Sequence, residues 1–224
     1  PGEPEGGAAW ARAAGRRPGL LVHMGSPLDV GLGARLARPN GERQLGELGI
    51  RDGRIVAVAE AGSLSGGELI DAGTSLILPG VVDNHVHTRS EPLEGLTLAT
   101  TAAAAGGVTT LIDMPYDDPD PVTSVTAFRA KAEAIEKEAI TDVALWATIA
   151  KTGGLDEIEG LVQAGACAFK VSTFETHPIR FPRIPDGELY LAMERIRDAG
   201  SLIAFHAEND ELVRTLSARL EAAG

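Results

Sequence analysis

The sequence of 224 residues predicts an α/β protein, in which about five strand–helix units form part of a (β/α)8 TIM-like barrel and follow a small N-terminal β portion. Two observations support this fold class. Beyond Gly80, apolar strand-like runs alternate with helix-like runs, and each strand–helix pair spans roughly 25 to 35 residues. This pattern is typical of parallel strand–helix units. Polar residues also stand at the C-terminal ends of several strands, where a barrel of this class places its active site.

Composition and charge exclude several classes of partner. The net charge is −12 and the basic residues are scattered, so a phosphate backbone would be repelled rather than bound. No apolar run approaches the roughly 18 to 20 residues of a membrane span, and the N-terminus lacks the pattern of a signal peptide. The single cysteine, Cys167, cannot form an internal disulfide. We expect a soluble, cytoplasmic protein with no nucleic-acid or membrane partner.

The first 78 residues divide into two parts. Residues 1–37 are rich in Gly, Pro, Ala and Arg, a composition that predicts a disordered N-terminal extension. Residues 38–78 predict a small β portion. Its strand-like runs LGELGI and RIVAVAE flank Asp52-Gly53, which can adopt the positive φ angles of a tight hairpin turn, and Glu68 to Leu78 (ELIDAGTSLIL) would add a third strand.

Residues 79–224 carry the alternating pattern of the barrel. The predicted strands, in order, are VVDNHVH, VTTLIDMP, TDVALWATIA, ACAFKVS and SLIAFHAE. The predicted helices between and after them are LEGLTLATTAAAAGG, TSVTAFRAKAEAIEKEA, LDEIEGLVQAG, DGELYLAMERIRDAG and NDELVRTLSARLEAAG. A Thr or Ser caps the second helix, and its mixed charges predict a solvated outer face. A complete barrel needs about 250 residues, so we expect a chain truncated after the fifth unit.

Two histidines one residue apart end the apolar run LILPGVVDNHVHT. Because residues i and i+2 of a strand point to the same side, His85 and His87 should project together. Two imidazoles that converge at a strand end are natural metal ligands. A pair of hydrogen-bonded structural histidines is an equally good explanation of so short a motif.

Two further residues stand out against apolar strands. Lys170 follows Ala166-Cys167-Ala168-Phe169, and a desolvated lysine can be a neutral amine that captures carbon dioxide as an anionic carbamate. A lysine that reaches the strand end, or pairs with a carboxylate, is the alternative. His206 in SLIAFHAEN is a third candidate imidazole. The order of HxH, lysine and histidine on successive or alternate strands is much more specific than any one of them.

These motifs resemble the cyclic amidohydrolases of the amidohydrolase superfamily, which include dihydroorotases, allantoinases and hydantoinases. The resemblance is carried, in family order, by LPGVVDNHVHTR, AAAAGGVTTLIDMP, GACAFKVS and FHAEN. It covers most of residues 44–209, and it implies that the β portion is the N-terminal part of a small β-sandwich. The implied activity is hydrolysis of a cyclic amide C–N bond by a metal-bridging hydroxide.

The resemblance also implies a site of two zinc ions. His85, His87 and a carboxylated Lys170 would bind one metal, and the same carbamate with His206 would bind the other. The catalytic residues would be Lys170, His85 and His87. A further histidine and an aspartate of the family belong to later strands, beyond the fifth unit. Asp83 and Asp113 could orient the ligands, although solvated or structural roles suit them as well.

The substrate is less closely defined. Arg89 occupies the position of the arginine that binds the substrate carboxylate in dihydroorotases, and a loop arginine is the alternative. Ser172 and its loop neighbours Thr173 and His177 are candidate substrate contacts. Hydantoin, allantoin and dihydroorotate rings all remain open. The resemblance further implies a homo-oligomer in the full-length form. A non-catalytic scaffold or regulatory homologue is the competing hypothesis.

Overall fold

A computed structural model describes residues 30–37, 43–65, 67–91 and 93–224. The chain divides into two compact units, and the boundary between them falls between Pro79 and Gly80. Each unit has its own sheet.

The first unit contains a four-stranded sheet with the strand order β3-β2-β1-β4. Its strands are β1 (Val30–Ala37), β2 (Arg43–Arg51), β3 (Arg54–Glu60) and β4 (Glu68–Ile77). The antiparallel strands β2 and β3 are joined at Asp52 and Gly53, whose φ angles are 51° and 66°. The predicted hairpin and the predicted third strand are therefore confirmed.

Strand β1 corrects the prediction for the N-terminus. It lies within residues 1–37, so the predicted disorder is wrong for Val30–Ala37. This segment pairs antiparallel with β2 and parallel with β4, and those strands satisfy its backbone hydrogen bonds. Local composition does not reveal such partners because they lie elsewhere in the sequence. Residues 1–29 lie outside the described part of the chain.

The second unit contains a five-stranded parallel sheet whose spatial order, β5-β6-β7-β8-β9, follows the chain. The strands are β5 (Val81–Val86), β6 (Val108–Asp113), β7 (Asp142–Ala147), β8 (Ala168–Ser172) and β9 (Ile203–His206). The helices are α1 (Gly95–Ala105), α2 (Val125–Glu138), α3 (Ile158–Ala164), α4 (Asp186–Asp198) and α5 (Asp210–Ala223). The α/β class and the five predicted strand–helix units are confirmed. None of the helices described is long and apolar enough to cross a membrane.

The hydrophobic core of the second unit lies where the central strands pack against helices α2, α3 and α4. Its members share near-complete burial of apolar side chains, and they include Leu145, Phe169, Val171, Phe128, Ile158, Leu161 and Ile196. Burial of each large apolar side chain stabilises the fold by about 1.5–3 kcal/mol. Strands β7 and β8 both contribute to this core, and β8 is the strand that carries Lys170.

Helix α2 departs from the predicted solvated face at one residue. Lys131 is only 2% exposed, although its neighbours in the sequence include several solvent-facing charges. Its Nζ lies 2.8 Å from Asp113 Oδ2 and 2.6 Å from Asp117 Oδ1. The prediction is wrong for Lys131 because two buried carboxylates compensate its charge, and these partners are not visible in the helix sequence.

Candidate functional site

A cavity of about 490 Å3 lies in the second unit, among residues at or near the C-terminal ends of its strands. It is lined by His85, His87, Ser90, Met114, Pro115, Tyr116, Lys170, Thr176, Phe181 and His206. The four side chains proposed as metal ligands therefore share one cavity. The rest of the lining is mainly apolar or aromatic.

The histidine pair lies where β5 ends. The imidazole centroids of His85 and His87 are 5.4 Å apart, and the ring planes are tilted by 50°. The β5–β6 register shifts between Asp83 and Val86, so the strand is irregular at the histidines. Asp83 Oδ1 accepts a hydrogen bond of 3.1 Å from the backbone N–H of His85.

The environment of His87 favours the neutral imidazole. Burial of the ring lowers the pKa of His87, and the nearby His85 lowers it further, while Asp113 opposes the shift. A metal ion binds the neutral form of histidine, so this environment suits a ligand.

The lowered pKa of His87 predicts a specific pH dependence. In the metal-free chain, NMR titration should give a midpoint for His87 below about 6.5, the ordinary value. The pKa of His87 is lower in the folded chain than in the unfolded chain. The neutral imidazole therefore contributes fully to the free energy of unfolding above the unfolded pKa, and this contribution is lost as the pH falls through the folded pKa. Urea unfolding at a series of pH values should show this loss, and His87→Gln should remove it. A midpoint above that of unfolded histidine would contradict the prediction.

Lys170 occupies the centre of β8, between the fully buried Phe169 and Val171. Its Nζ is 3.4 Å from the backbone oxygen of Phe205, a long hydrogen bond. Within the described residues, no carboxylate oxygen lies within 4.0 Å of this nitrogen. The alternative in which Lys170 pairs with a carboxylate is therefore not seen in this part of the chain, and the amine faces the cavity that the histidines line.

His206 is the last residue of β9 and pairs in register with Ser172 of β8. Its backbone oxygen accepts a hydrogen bond of 3.0 Å from the N–H of Thr173, which fixes the end of the strand. Its ring lies 6.4 Å from that of Phe181, and Nε2 is 3.5 Å from Glu208 Oε1. The imidazole thus borders the cavity from the far edge of the parallel sheet.

Four other candidates, Arg89, Ser172, Thr173 and His177, do not line this cavity. The hydroxyl of Thr173 contacts the backbone oxygens of His206 and Glu208 at 3.1 and 2.8 Å. Arg89 lines a different one, together with Asp117 and residues near the start of α2. Ser172 is fully buried, and its hydroxyl donates to the backbone oxygen of Phe174 at 2.6 Å, as a turn residue does. His177 Nδ1 accepts hydrogen bonds from the backbone N–H groups of Ile179 and Arg180. Arg89 and Ser172 are thus not among the residues that line the cavity of the histidines, although Ser172 pairs with His206 through the strand backbone.

The aromatic wall of the cavity was not predicted. The guanidinium of Arg180 lies 4.0 Å from the centroid of the Tyr116 ring, and the same side chain donates to the backbone oxygens of Ser90 and Tyr116. The Tyr116 ring meets the rings of His87 and Phe181 edge to face, with distances of 5.9 and 6.0 Å between ring centroids. Arg180 and Phe181 belong to the loop ETHPIRFPRIPDGE, which is rich in proline and arginine.

The donor set fits a divalent cation in its chemistry. His85, His87 and His206 supply imidazoles, and Lys170 supplies an amine that can become an oxygen ligand as a carbamate. Across the described residues, no group of three or more His, Cys, Asp or Glu side chains is arranged to hold a metal ion. A carboxylated Lys170 would therefore supply the third ligand beside His85 and His87.

Comparison with known proteins gives consistent matches. The sequence profile of the Amidohydrolase family matches residues 76–223. The mitochondrial allantoinase of Aquarana catesbeiana is 34% identical over 199 residues, which cover 86% of this chain and 40% of the relative. The L-hydantoinase of Paenarthrobacter aurescens is 35% identical over 180 residues, which cover 78% of this chain and 39% of the relative.

A solved structure shows the same fold. The L-hydantoinase (dihydropyrimidinase) from Arthrobacter aurescens superposes with a TM-score of 0.81 at 33% identity, covering 88% of this chain and 44% of that protein. The chain therefore spans less than half the length of the relatives that it matches. The similarity confirms the predicted partial barrel.

Proposed function

Since the chain belongs to the amidohydrolase family, we propose that it forms part of a metal-dependent hydrolase that opens the C–N bond of a cyclic amide. The observation that carries this proposal is the shared cavity of His85, His87, Lys170 and His206. The allantoinase and hydantoinase names of its relatives support the reaction class.

We propose His85, His87 and Lys170 as ligands of one metal ion, with Lys170 and His206 as ligands of a second. The environment that keeps His87 neutral supports this assignment, as does the lack of a carboxylate partner for Lys170 among the described residues. Carboxylation would convert the Lys170 amine into an anion with two oxygens, which could reach both metals. Zinc ions, when bound, would supply an acidified water and polarise the ring carbonyl.

The apolar wall of the cavity would position the substrate. Tyr116 and Phe181 line the cavity together with the buried residues Met114 and Pro115. A planar cyclic amide can pack against such a wall while its polar edge faces the histidines. Arg180 would hold the Tyr116 ring in place through the stacking contact at 4.0 Å. Because Arg89 lies outside the cavity, the geometry gives no support to recognition of a dihydroorotate carboxylate.

The test is a side-by-side assay of hydantoin, allantoin and dihydroorotate, with zinc and bicarbonate present. The chain is assayed alone and as part of a longer protein that spans the full length of its relatives. We expect the longer protein to hydrolyse hydantoin or allantoin, and the chain alone to bind zinc weakly and turn over little. Binding of two tightly held zinc ions by the chain alone would contradict the second expectation. Zinc binding without hydrolysis of any of the three rings would point to another cyclic amide, and failure to bind zinc would favour the non-catalytic hypothesis.

A further inference from the structure

A buried ion cluster, made of Asp113, Asp117 and Lys131, links the end of strand β6 to helix α2. The three residues are 0%, 4% and 2% exposed. The ammonium of Lys131 lies 2.8 Å from Asp113 Oδ2 and 2.6 Å from Asp117 Oδ1, and it donates to the backbone oxygen of Met114 at 3.1 Å. Lys131 Nζ thus donates two hydrogen bonds, to Met114 and to Asp117, and forms an ion pair with Asp113. These three contacts fix the position of the ammonium group.

The cluster reaches the histidine strand through Thr88. The carboxylate of Asp113 accepts two hydrogen bonds from this residue, one from its N–H at 3.0 Å and one from its hydroxyl. Thr88 is fully buried and directly follows His87. On the other side of His87, the backbone oxygen of Val86 accepts from the N–H of Met114 at 2.8 Å. Both neighbours of His87 are therefore held by the end of β6.

Stability alone gives little reason to bury these charges. Removing charged groups from water is costly, and apolar replacements of a buried ion pair are often as stable or more so. A hydrogen-bonded carboxylate does, however, fix the direction of the groups that it binds more closely than apolar packing does. Here those groups belong to the residue next to His87.

We propose that Asp113, held in place by Lys131, positions the imidazole pair of the site through Thr88. Thr88, Asp113 and Lys131 are then positioning residues, since none of them lines the cavity that holds His85 and His87. Outer partners of this kind commonly affect metal affinity by about 10 to 100-fold. The metal-binding part of this inference rests on the proposed function, whereas the positioning of the rings does not.

The test compares Thr88→Val, which removes the hydroxyl at nearly constant shape, with Thr88→Ser, which keeps it. The first measurement is NMR of the imidazole signals in the metal-free protein. We expect Thr88→Val to shift or broaden the signals of His87 and to leave those of His206 unchanged, and Thr88→Ser to resemble the wild type. Unchanged His87 signals in folded Thr88→Val protein would overturn the inference.

The second measurement is zinc affinity by competition with a chelator. We expect Thr88→Val to weaken binding by about 10-fold or more and Thr88→Ser to restore most of it. The matched control is Thr100→Val, because Thr100 is equally buried and its hydroxyl donates within helix α1, to the oxygen of Leu96. This control should lose stability but keep the zinc affinity and the His87 signals of the wild type. Equal losses of affinity in both valine variants would show a general effect of stability and would overturn the inference.

The two measurements separate this inference from the proposed function. If the wild type binds no zinc, the proposed function fails, and the imidazole signals still decide whether Thr88 positions the histidines. If the wild type binds zinc and Thr88→Val binds it equally well with unchanged signals, the inference fails and the proposed function stands.

Discussion

Replacing Lys131 by methionine should lower the free energy of unfolding by about 3–5 kcal/mol, the cost of leaving a buried charge without its partner. Asp113 and Asp117 would both lose the ammonium that lies within 2.8 Å of their oxygens. Methionine fills most of the volume of lysine, so the loss would come from uncompensated charge rather than from a cavity. Urea unfolding followed by circular dichroism measures the change.

The matched control for this substitution is Lys137→Met in the same helix. Lys137 is 68% exposed and pairs with Glu133 one turn away, so its removal should cost no more than about 0.3–0.5 kcal/mol. Equal effects of the two substitutions would contradict the assignment of a buried ion cluster.

The loss of stability in Lys131→Met should depend on pH. Burial raises the pKa of Asp117, and Lys131 opposes that rise. Without Lys131 the pKa of Asp117 should rise further. A carboxyl group whose pKa is higher in the folded than in the unfolded chain contributes stability at low pH, and that contribution is lost as the pH rises through the folded pKa. The deficit of Lys131→Met relative to the wild type should thus be smaller at about pH 5 than at about pH 7.

Replacing Lys170 by methionine should weaken zinc binding by more than about 100-fold. Loss of a metal ligand should weaken binding more than loss of a residue that only orients a ligand, which costs about 10 to 100-fold. The variant should also abolish any ring hydrolysis that the longer protein shows. Phe169 and Val171 are buried on the opposite face of β8, and they should keep their packing when Lys170 is replaced. The fold should therefore remain. Chelator competition and thermal unfolding separate the two effects.

The control for Lys170 is Lys151→Met. Lys151 is 46% exposed and pairs with Glu175 at 2.7 Å, outside the cavity of the histidines. Lys151→Met should change the zinc affinity by no more than about twofold relative to the wild type, because exposed ion pairs contribute little. Isotope-labelled bicarbonate provides an independent reading: the wild type should show a carbamate signal by NMR that Lys170→Met lacks. Retention of that signal in Lys170→Met would contradict the proposed modification.

The parts of this protein that could be predicted from its sequence depend on short-range patterns. His85 and His87 stand out because the period of a strand is two residues, and Lys170 stands out as the charged residue within the apolar run of β8. The hairpin at Asp52-Gly53 was predictable because those two residue types tolerate positive φ.

The parts that could not be predicted depend on partners distant in the sequence. The mixed charges of helix α2 suggested a solvated face, and only the fold shows that Asp113 and Asp117 meet Lys131. Strand β1 likewise lies in a glycine-rich segment and is stabilised by pairing with β2 and β4. The stack of Arg180 on Tyr116 joins two loops that are far apart along the chain. Pattern analysis of a single sequence does not reach such contacts.

The most direct test of the proposed site is the zinc-edge anomalous signal from crystals grown with zinc and bicarbonate. We expect a peak in the cavity about 2.0–2.1 Å from an imidazole nitrogen of His85 and of His87, with continuous density from Lys170 to the metal. A cavity without a peak, or zinc held only at sites away from these side chains, would contradict it.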